Sequence, residues 1–310
     1  MKLISVVTPC LNEAQNVREL YQRVRAVFEK AGRYRYEHIF IDNSSTDGTV
    51  DALRELAAAD CNVRVIVNRR NFGQERSPHH AVLQTRGDAV VVLSSDLQDP
   101  PELIATFLER WEQGFKVVLG VKRTSQESRA MFLFRTAYYA LIERLSEVRL
   151  IQHATGFGLY DRVFVDLLRG LDDPHPYTRG LVAEFGFEVA TIPYDQPARK
   201  RGLTKNSFYT LYDLAMVGIT SHSKVPLRIA TILGFFLSGL SFLVAIVYFV
   251  YKLIFWREFA VGIAPLVIGL FLSFSVQLFF MGILGEYIAV IHTRVMRRPL
   301  VVEKERINFD

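Results

Sequence analysis

The sequence predicts an α/β domain with a mostly parallel sheet, followed by a C-terminal hairpin of two transmembrane helices. Apolar runs of strand length alternate with segments of helix length over the first ~120 residues. Towards the C-terminus, two segments without a charged residue lie at about 229–251 and 259–285. Each is longer than the ~20 residues that a helix needs to cross a bilayer.

The α/β pattern is read from five apolar runs and the segments between them. The predicted strands are Leu3–Thr8, Glu37–Ile41, Val63–Val67, Ala89–Leu93 and Lys116–Val121. The predicted helices are Ala14–Lys30, Pro78–Thr85 and Pro101–Gln113. Parallel strands of this kind are joined by right-handed crossovers, and open α/β sheets bind ligands where their strands end.

Two further segments have amphipathic patterns. The segment Ser128–Val148 mixes aromatic residues with arginine, which suits either a helix facing the core or a helix on the membrane surface. The segment 206–228 leads into the first span and is predicted to be a juxtamembrane amphipathic helix. The predicted division of the chain is 1–205, 206–228, 229–291 and 292–310.

Basic residues predict the orientation of this arrangement in a membrane. They are more numerous before the first span and after the second than in the short connecting loop, which offers only Lys252 and Arg257. The positive-inside rule therefore places the 1–205 domain and both termini in the cytoplasm. The expected location is therefore the inner (plasma) membrane, with two passes. Cys10 and Cys61 are too few for a disulfide framework and suit a reducing compartment. The net charge of +5 favours anionic lipid or phosphate over nucleic acid as a partner.

Polar clusters follow two of the predicted strands. The stretch Ser94–Glu102 offers carboxylates and an amide where a strand ends, which suits a hard cation such as Mg²⁺ or Mn²⁺. A surface turn with a helix cap is the alternative. The stretch Asp42–Thr49 could likewise be a cap for the next helix, through Thr46 or Asp47.

Five motifs in order along the chain resemble those of one enzyme family. They are Pro9–Glu13, Asp42–Thr49, Asn71–Gly73, Asp96–Glu102 and Arg199–Lys205. Together they are similar to the inverting family-two glycosyltransferases, and within them to the polyprenyl-phosphate (dolichol- or undecaprenyl-phosphate) sugar transferases with a two-helix membrane anchor. The resemblance covers nearly the whole chain and implies the fold called GT-A for residues 1–205.

The resemblance implies roles for individual residues. The nucleoside of the donor is expected to bind at Pro9, Leu11, Glu13 and Asp42. A divalent cation, Mg²⁺ or Mn²⁺, is expected at Asp96 and Gln98, and the expected catalytic residues are Asp96, Asp99, Arg199 and Lys205. Phosphate groups are expected at Arg199, Arg201, Thr204 and Lys205. The basic motif could also serve only as a positive-inside anchor.

The chain departs from the family pattern at three places. Asn43 stands where the second of two paired aspartates is usual, and Ser94 where the first aspartate of an Asp-x-Asp motif is usual. A motif similar to Gly-Asp-Phe-Arg in relatives reads Thr155–Gly158 here, so Gly156 and Gly158 replace side chains expected near the sugar or acceptor. The segment Gln74–His80 could compensate, or its histidines could simply belong to a loop and helix start.

These features predict transfer of a single sugar from a nucleotide-sugar, expected to be a UDP-sugar, to a polyprenyl phosphate with inversion. A lipid phosphate is already an anion at neutral pH, so this acceptor does not require a general base, whereas a sugar hydroxyl does. One alternative is a processive polysaccharide synthase, although the Gln-x-x-Arg-Trp motif expected of one is missing. Another is a catalytically weakened, nucleotide-binding membrane scaffold. Small residues at Gly234, Ser238 and Gly239 would suit helix packing in a homo-oligomer.

Overall fold

The computed structural model covers most of the predicted α/β domain, two long C-terminal helices and the end of the chain. The described residues are 1–123, 154–171, 173, 176–197, 225–255, 263–296 and 299–309. The predicted helix at Ser128–Val148, most of the one at 206–228 and the basic motif Arg199–Lys205 lie outside these residues.

Strands and helices alternate through the described part of the domain. The strands are β1 (Lys2–Cys10), β2 (Tyr34–Asp42), β3 (Val63–Asn68), β4 (Ala89–Val92), β5 (Val117–Lys122), β6 (Ala154–Asp161), β7 (Val189–Tyr194) and β8 (Glu303–Ile307). The helices are α1 (Val17–Ala31), α2 (Thr49–Ala59), α3 (Arg76–Leu83), α4 (Leu103–Glu112), α5 (Arg162–Gly170), α6 (Thr178–Glu184), α7 (Val225–Ile254) and α8 (Ile263–Val295). All five predicted strands are present, with ends that differ by at most three residues.

The described strands form one sheet in the order β7-β5-β6-β4-β1-β2-β3-β8. β1 pairs in parallel with both β2 and β4, β2 with β3, and β5 with β7. β6 and β8 run antiparallel to their neighbours. The predicted mostly parallel α/β sheet is confirmed. Its strand order changes direction at β1, where α/β folds place a ligand crevice.

The sheet separates two hydrophobic clusters, and β1 supplies side chains to both. Ile4 and Val6 lie with side chains of α1, α2 and α4, whereas Val7 lies with side chains of α3, α5 and α6. All three are fully buried. This two-sided burial explains why the strands read as continuous apolar runs, because a central parallel strand is covered on both faces.

Two strands do not follow from local sequence patterns. β6 contains Gly156 and Gly158, which weaken strand propensity, and it contains the Thr155–Gly158 motif. β8 has the sequence Glu-Lys-Glu-Arg-Ile and lies at the edge of the sheet. Charged edge strands are common because they discourage pairing with other chains.

The predicted C-terminal tail, residues 292–310, contains β8, which belongs to the sheet of the α/β domain. β8 pairs antiparallel with β3. After the strand, the Asn308 Nδ2 group donates hydrogen bonds to the carbonyls of Ala57 (2.8 Å) and Val63 (2.9 Å). Before it, Val301 is buried. The chain end thus covers an edge of the sheet that would otherwise expose unpaired backbone groups.

The long helix α7 contains the first predicted span, and α8 contains residues 263–285 of the second. Within the described residues, one segment, Ser273–His292 in α8, is long and apolar enough to cross a membrane. Large apolar side chains such as Leu278 and Phe279 are exposed on it. The hairpin of two spans stays a prediction.

Removing residues 301–310 should destabilise the α/β domain, because the edge of β3 loses its partner and Val301 its buried site. We expect a lower melting temperature and stronger aggregation on heating, measured by scanning calorimetry and light scattering on the full chain and the truncated one. As a control, Glu305→Gln removes only a partly exposed ion pair with Arg54 and should change stability by less than about 1 kcal/mol. An unchanged melting temperature after truncation would contradict the structural role of β8.

Candidate active site

The polar motifs of the sequence meet at one edge of the sheet. β1, β2 and β4 are parallel, so the turns after Cys10, Asp42 and Val92 all leave from their carboxyl ends. The crevice between β1 and β4 is the topological switch point. The clusters that are separated along the sequence are therefore neighbours in the fold.

The turn after β4 has an unusual backbone. Leu97 adopts a left-handed conformation (φ 60°), which is uncommon for a residue with a branched side chain, yet its side chain is 4% exposed and lies in the hydrophobic core. Asp96 and Gln98 flank it and are only partly buried. An Asp96 carboxylate oxygen accepts the Gln98 N–H at 3.1 Å. The buried leucine thus fixes a tight turn that presents one carboxylate and one amide together.

Asp99, two residues further on, has a different environment. It is 4% exposed, and its two oxygens accept the Tyr194 hydroxyl at 2.7 Å and, at 3.4 Å, the N–H of Ser94. These contacts favour a positioning role for Asp99, and its predicted catalytic role stays a prediction. Tyr194 is the last residue of β7, and its ring packs edge-on against Phe157. Asp99 therefore links the turn after β4 to the end of β7.

The predicted cation ligands fit a divalent metal in chemical type. Asp96 and Gln98 offer carboxylate and amide oxygens, the ligands that Mg²⁺ and Mn²⁺ prefer. In the described part of the chain there is no group of three or more His, Cys, Asp or Glu side chains that could hold a metal ion. A cation at this turn would therefore need further oxygens from the donor's phosphates and from water.

Asp42 lies at the end of β2 and is fully buried. One of its oxygens accepts the Ser45 N–H at 2.9 Å, and the other, Oδ1, is buried without a hydrogen-bond partner among the described residues. Burial raises the pKa of Asp42, against the opposing effect of the hydrogen bonds from Ser45. A buried carboxylate oxygen without a donor is costly, which suits a ligand that supplies one.

The turns after β1 and β2 are joined by reciprocal hydrogen bonds. Asn12, itself left-handed (φ 59°), donates its N–H to the Ser45 hydroxyl at 2.8 Å and accepts the Thr46 N–H on its side chain at 2.8 Å. Asp47 accepts the N–H of Thr49, the first residue of α2, at 3.1 Å, but the N-cap position is occupied by Gly48, so neither Thr46 nor Asp47 is the predicted N-cap residue. These hydrogen bonds join the two loops into one rim beside Asp42.

The remaining predicted nucleoside residues lie on this rim with different exposures. Glu13 is 7% exposed and accepts the Asn16 amide at 2.5 Å, while its own N–H donates to the Thr49 hydroxyl. Pro9 and Leu11 are partly exposed, which leaves them surface for a ligand. Glu13 therefore supports the start of α1 in addition to any contact with a nucleoside.

The structure explains why glycine occupies positions 156 and 158 of β6. A Cβ atom at Gly158 would lie 2.4 Å from the Val118 carbonyl oxygen, so a side chain at this position would displace β5. Gly156 adopts φ 90°, a conformation that favours glycine, and its carbonyl accepts the Tyr160 hydroxyl at 3.0 Å. Packing therefore excludes a side chain at position 158, and the backbone conformation disfavours one at position 156.

The two histidines of α3 have structural environments. His79 is 4% exposed, and burial lowers its pKa to about 4, so it is neutral at pH 7. His80 contacts Glu303 of β8 at 2.5 Å. Both residues lie inside α3, which begins two residues before the predicted Pro78, and His80 is in its last turn, so they are not loop or helix-start residues. Compensation for missing site residues stays a prediction. The predicted phosphate residues, Arg199, Arg201, Thr204 and Lys205, lie outside the described residues, shortly after Tyr194.

Comparisons with known proteins agree on the type of domain. The model of the family described as Glycosyl transferase family 2 matches residues 5–164. A relative from Bacillus subtilis (strain 168), the uncharacterized glycosyltransferase YkcC, is 33% identical over 99% of this chain and 94% of its own length. A bactoprenol glucosyl transferase of Shigella phage SfX is 32% identical over 98% of this chain and 99% of its own.

The similarity to solved structures is weaker than the similarity to these relatives in sequence. The crystal structure of glucosyl-3-phosphoglycerate synthase from Mycobacterium tuberculosis, in complex with Mn²⁺, uridine diphosphate and phosphoglyceric acid, is 20% identical. It covers 71% of this chain and 76% of that chain, with a TM-score of 0.48.

Asp42→Asn should separate stability from nucleotide binding. Because the pKa of Asp42 is raised in the folded protein, folding takes up a proton between the unfolded and folded pKa values, so this group's contribution to stability decreases as pH rises through that window. The amide removes that cost at neutral pH and can keep the Ser45 contact through its oxygen. We expect an unchanged or higher melting temperature and at least tenfold weaker nucleotide binding by calorimetric titration. Unchanged binding would contradict a nucleoside role for Asp42.

Tyr194→Phe should destabilise the turn after β4, because the buried Asp99 carboxylate loses its hydroxyl donor. Chemical denaturation should show a loss of about 1–3 kcal/mol. Tyr34→Phe is the matched control, since that hydroxyl donates to the exposed Glu112, which water can solvate. Equal effects of the two substitutions would argue against the Asp99–Tyr194 link.

Proposed function

The chain belongs to glycosyl transferase family 2, and we propose that it transfers one sugar from a nucleotide-sugar to a polyprenyl phosphate at the cytoplasmic face of a membrane, with inversion at the anomeric carbon. The observation that carries the proposal is the juxtaposition of the Asp42 carboxylate and the Asp96–Gln98 turn at the switch point of the sheet. The proposed donor is a UDP-sugar, with the nucleoside beside Asp42 and its diphosphate near Asp96.

The environments of two described side chains, Asp99 and His79, favour an acceptor that is already an anion. Asp99 is buried and accepts hydrogen bonds on both oxygens, and His79 is buried with a pKa lowered to about 4. Neither is well placed to remove a proton from a sugar hydroxyl. A phosphate monoester, with a second pKa near ~6, attacks without losing a proton. A polyprenyl phosphate is such an acceptor, and the relative from phage SfX is named as a bactoprenol glucosyl transferase.

In the proposed reaction, an oxygen of the acceptor phosphate forms a bond to the anomeric carbon while the bond from that carbon to the diphosphate oxygen breaks. One displacement inverts the configuration. The protein's part is to hold the nucleoside at the rim formed by the turns after β1 and β2 and to orient the diphosphate at the turn after β4. A divalent cation held by Asp96 and Gln98 would neutralise charge on the leaving diphosphate. The basic motif Arg199–Lys205 is proposed to hold phosphate groups.

The topology of the chain supports a membrane hairpin. β7 precedes α7, β8 follows α8, and both strands belong to the same sheet. The chain between them must therefore cross a membrane an even number of times. If Ser273–His292 crosses, a second crossing is required, and α7 contains the other predicted span. With an even number of crossings, the whole α/β domain and its candidate active site lie on one side of the membrane. We propose that this is the cytoplasmic side, where the polyprenyl phosphate would be glycosylated.

The proposal is tested with the purified full chain in detergent or liposomes, undecaprenyl phosphate, Mg²⁺ or Mn²⁺ and a panel of nucleotide-sugars. We expect one donor to yield a singly glycosylated lipid phosphate by mass spectrometry, and Asp96→Asn to lower turnover at least 100-fold without lowering the melting temperature. Gln113→Glu, an amide-to-carboxylate change at the end of α4, is the control. Absence of product with every donor would contradict the proposal, and full activity of Asp96→Asn would contradict the assigned site.

A further inference from the structure

Asn43 stands where the second of two paired aspartates is usual in the glycosyltransferases that this chain resembles, and the resemblance does not explain why an amide is found there. It follows Asp42 directly and is 7% exposed. Its backbone N–H donates to the Cys10 carbonyl at 2.9 Å, which ties the end of β2 to the end of β1. Its side chain leaves this backbone anchor towards the loop that follows β3.

Both halves of the Asn43 amide are used. The Nδ2 group donates to the Asn71 Oδ1 atom at 2.9 Å and to the Gly73 carbonyl at 3.1 Å. The Oδ1 atom accepts the Phe72 N–H at 2.9 Å and the Asn68 Nδ2 group at 3.3 Å. One side chain thus contacts every residue of the Asn71–Gly73 loop and the last residue of β3.

The partners determine which end of the amide is nitrogen. The Gly73 carbonyl can only accept, and the Phe72 N–H can only donate. The Asn71 Oδ1 atom also accepts the Gly73 N–H at 2.8 Å, so it acts as an acceptor towards Asn43 as well. A flipped amide would break these contacts, and an ionised aspartate at position 43 would place an oxygen against two acceptors. The site requires a side chain that donates and accepts at once.

Further contacts and a restricted backbone conformation hold the Asn71–Gly73 loop in place. Gly73 adopts φ 90°, and Phe72 is 8% exposed with the Arg70 guanidinium 4.1 Å from its ring centre. Asn68 also donates to the Ser77 hydroxyl in α3 at 3.0 Å. The network therefore joins β2, β3, the loop and α3 next to the buried Asp42 carboxylate.

We propose that Asn43 is a positioning residue that holds the Asn71–Gly73 loop as one wall of the nucleoside site beside Asp42, and that it is not a weakened remnant of a metal-binding or catalytic acid. The inference rests on the proposed function for the identity of the ligand. It assigns a specific requirement to position 43: the amide contributes to donor binding through its hydrogen-bond donors, and a carboxylate cannot replace it.

Three variants distinguish the alternatives. Asn43→Asp keeps the size and the acceptor but loses the donors. Asn71→Ala removes the side-chain acceptor of the Asn43 amide, and it should fold even if the change at the buried Asn43 does not, because Asn71 is exposed. Gln22→Glu makes the same amide-to-carboxylate change on the exposed face of α1 and is the control.

The first measurement is steady-state transfer by the full chain with undecaprenyl phosphate and its nucleotide-sugar. We expect Asn43→Asp and Asn71→Ala each to raise the KM for the nucleotide-sugar about tenfold or more, with kcat reduced less than threefold, and Gln22→Glu to match the wild type. A wild-type KM for Asn43→Asp overturns the proposal. So does a higher kcat or tighter Mn²⁺ binding, which a restored acid would produce.

The second measurement does not depend on transfer. Hydrogen exchange of the ligand-free protein should show the Phe72 and Gly73 amides protected in the wild type and in Gln22→Glu, and at least tenfold faster exchange in Asn43→Asp and Asn71→Ala. Unchanged exchange in both variants overturns the proposal. If the wild type forms no lipid-linked sugar, the proposed function fails, while the exchange result still decides whether Asn43 holds the loop.

Discussion

The parallel pairing of β1 with both β2 and β4 is the constraint on which the rest of the site depends. It brings the turns after three separate strands to one edge, although the residues involved are dispersed over the first hundred positions of the chain. Different contacts hold each turn. Hydrogen bonds of Asn12 join the turns after β1 and β2, the buried Leu97 anchors the turn after β4, and hydrogen bonds of Asn43 hold the neighbouring Asn71–Gly73 loop. The strand pairing brings the turns close together, and hydrogen bonds and buried side chains determine the conformation of each turn.

Much of the domain could be predicted from the sequence, because buried parallel strands read as apolar runs and their ends carry polar clusters. Asp42 and Asp96 were predicted as site residues, and the structure places both at the edge where ligands bind in such sheets. β6 and β8 could not be predicted in the same way. β6 contains Gly158, which packs closely against β5, and Gly156, whose left-handed backbone favours glycine. β8 is a charged strand whose partner, β3, is more than two hundred residues away in the chain.

Side-chain partners were the least predictable feature. Asp99 resembled a second catalytic acid from its position near Asp96, yet its hydrogen bond to Tyr194 depends on β7, ninety-five residues later. Asn43 resembled a lost acid, and only the three-dimensional loop shows that both ends of its amide have partners. Local patterns report secondary structure and residue chemistry, whereas these contacts depend on how distant segments pack. The sheet membership of both β7 and β8 is a similar long-range fact, because the two strands are separated along the chain by α7 and α8.

A structure of the full chain with UDP and Mn²⁺ would locate the nucleotide relative to the edge of the sheet. We expect the nucleoside beside Asp42, with a donor group of the ligand within hydrogen-bonding distance of the Asp42 Oδ1 atom, and the cation within about 2.0–2.5 Å of an Asp96 oxygen. Nucleotide bound elsewhere on the domain, with no contact to Asp42 or Asp96, would show that this edge of the sheet is not the donor site.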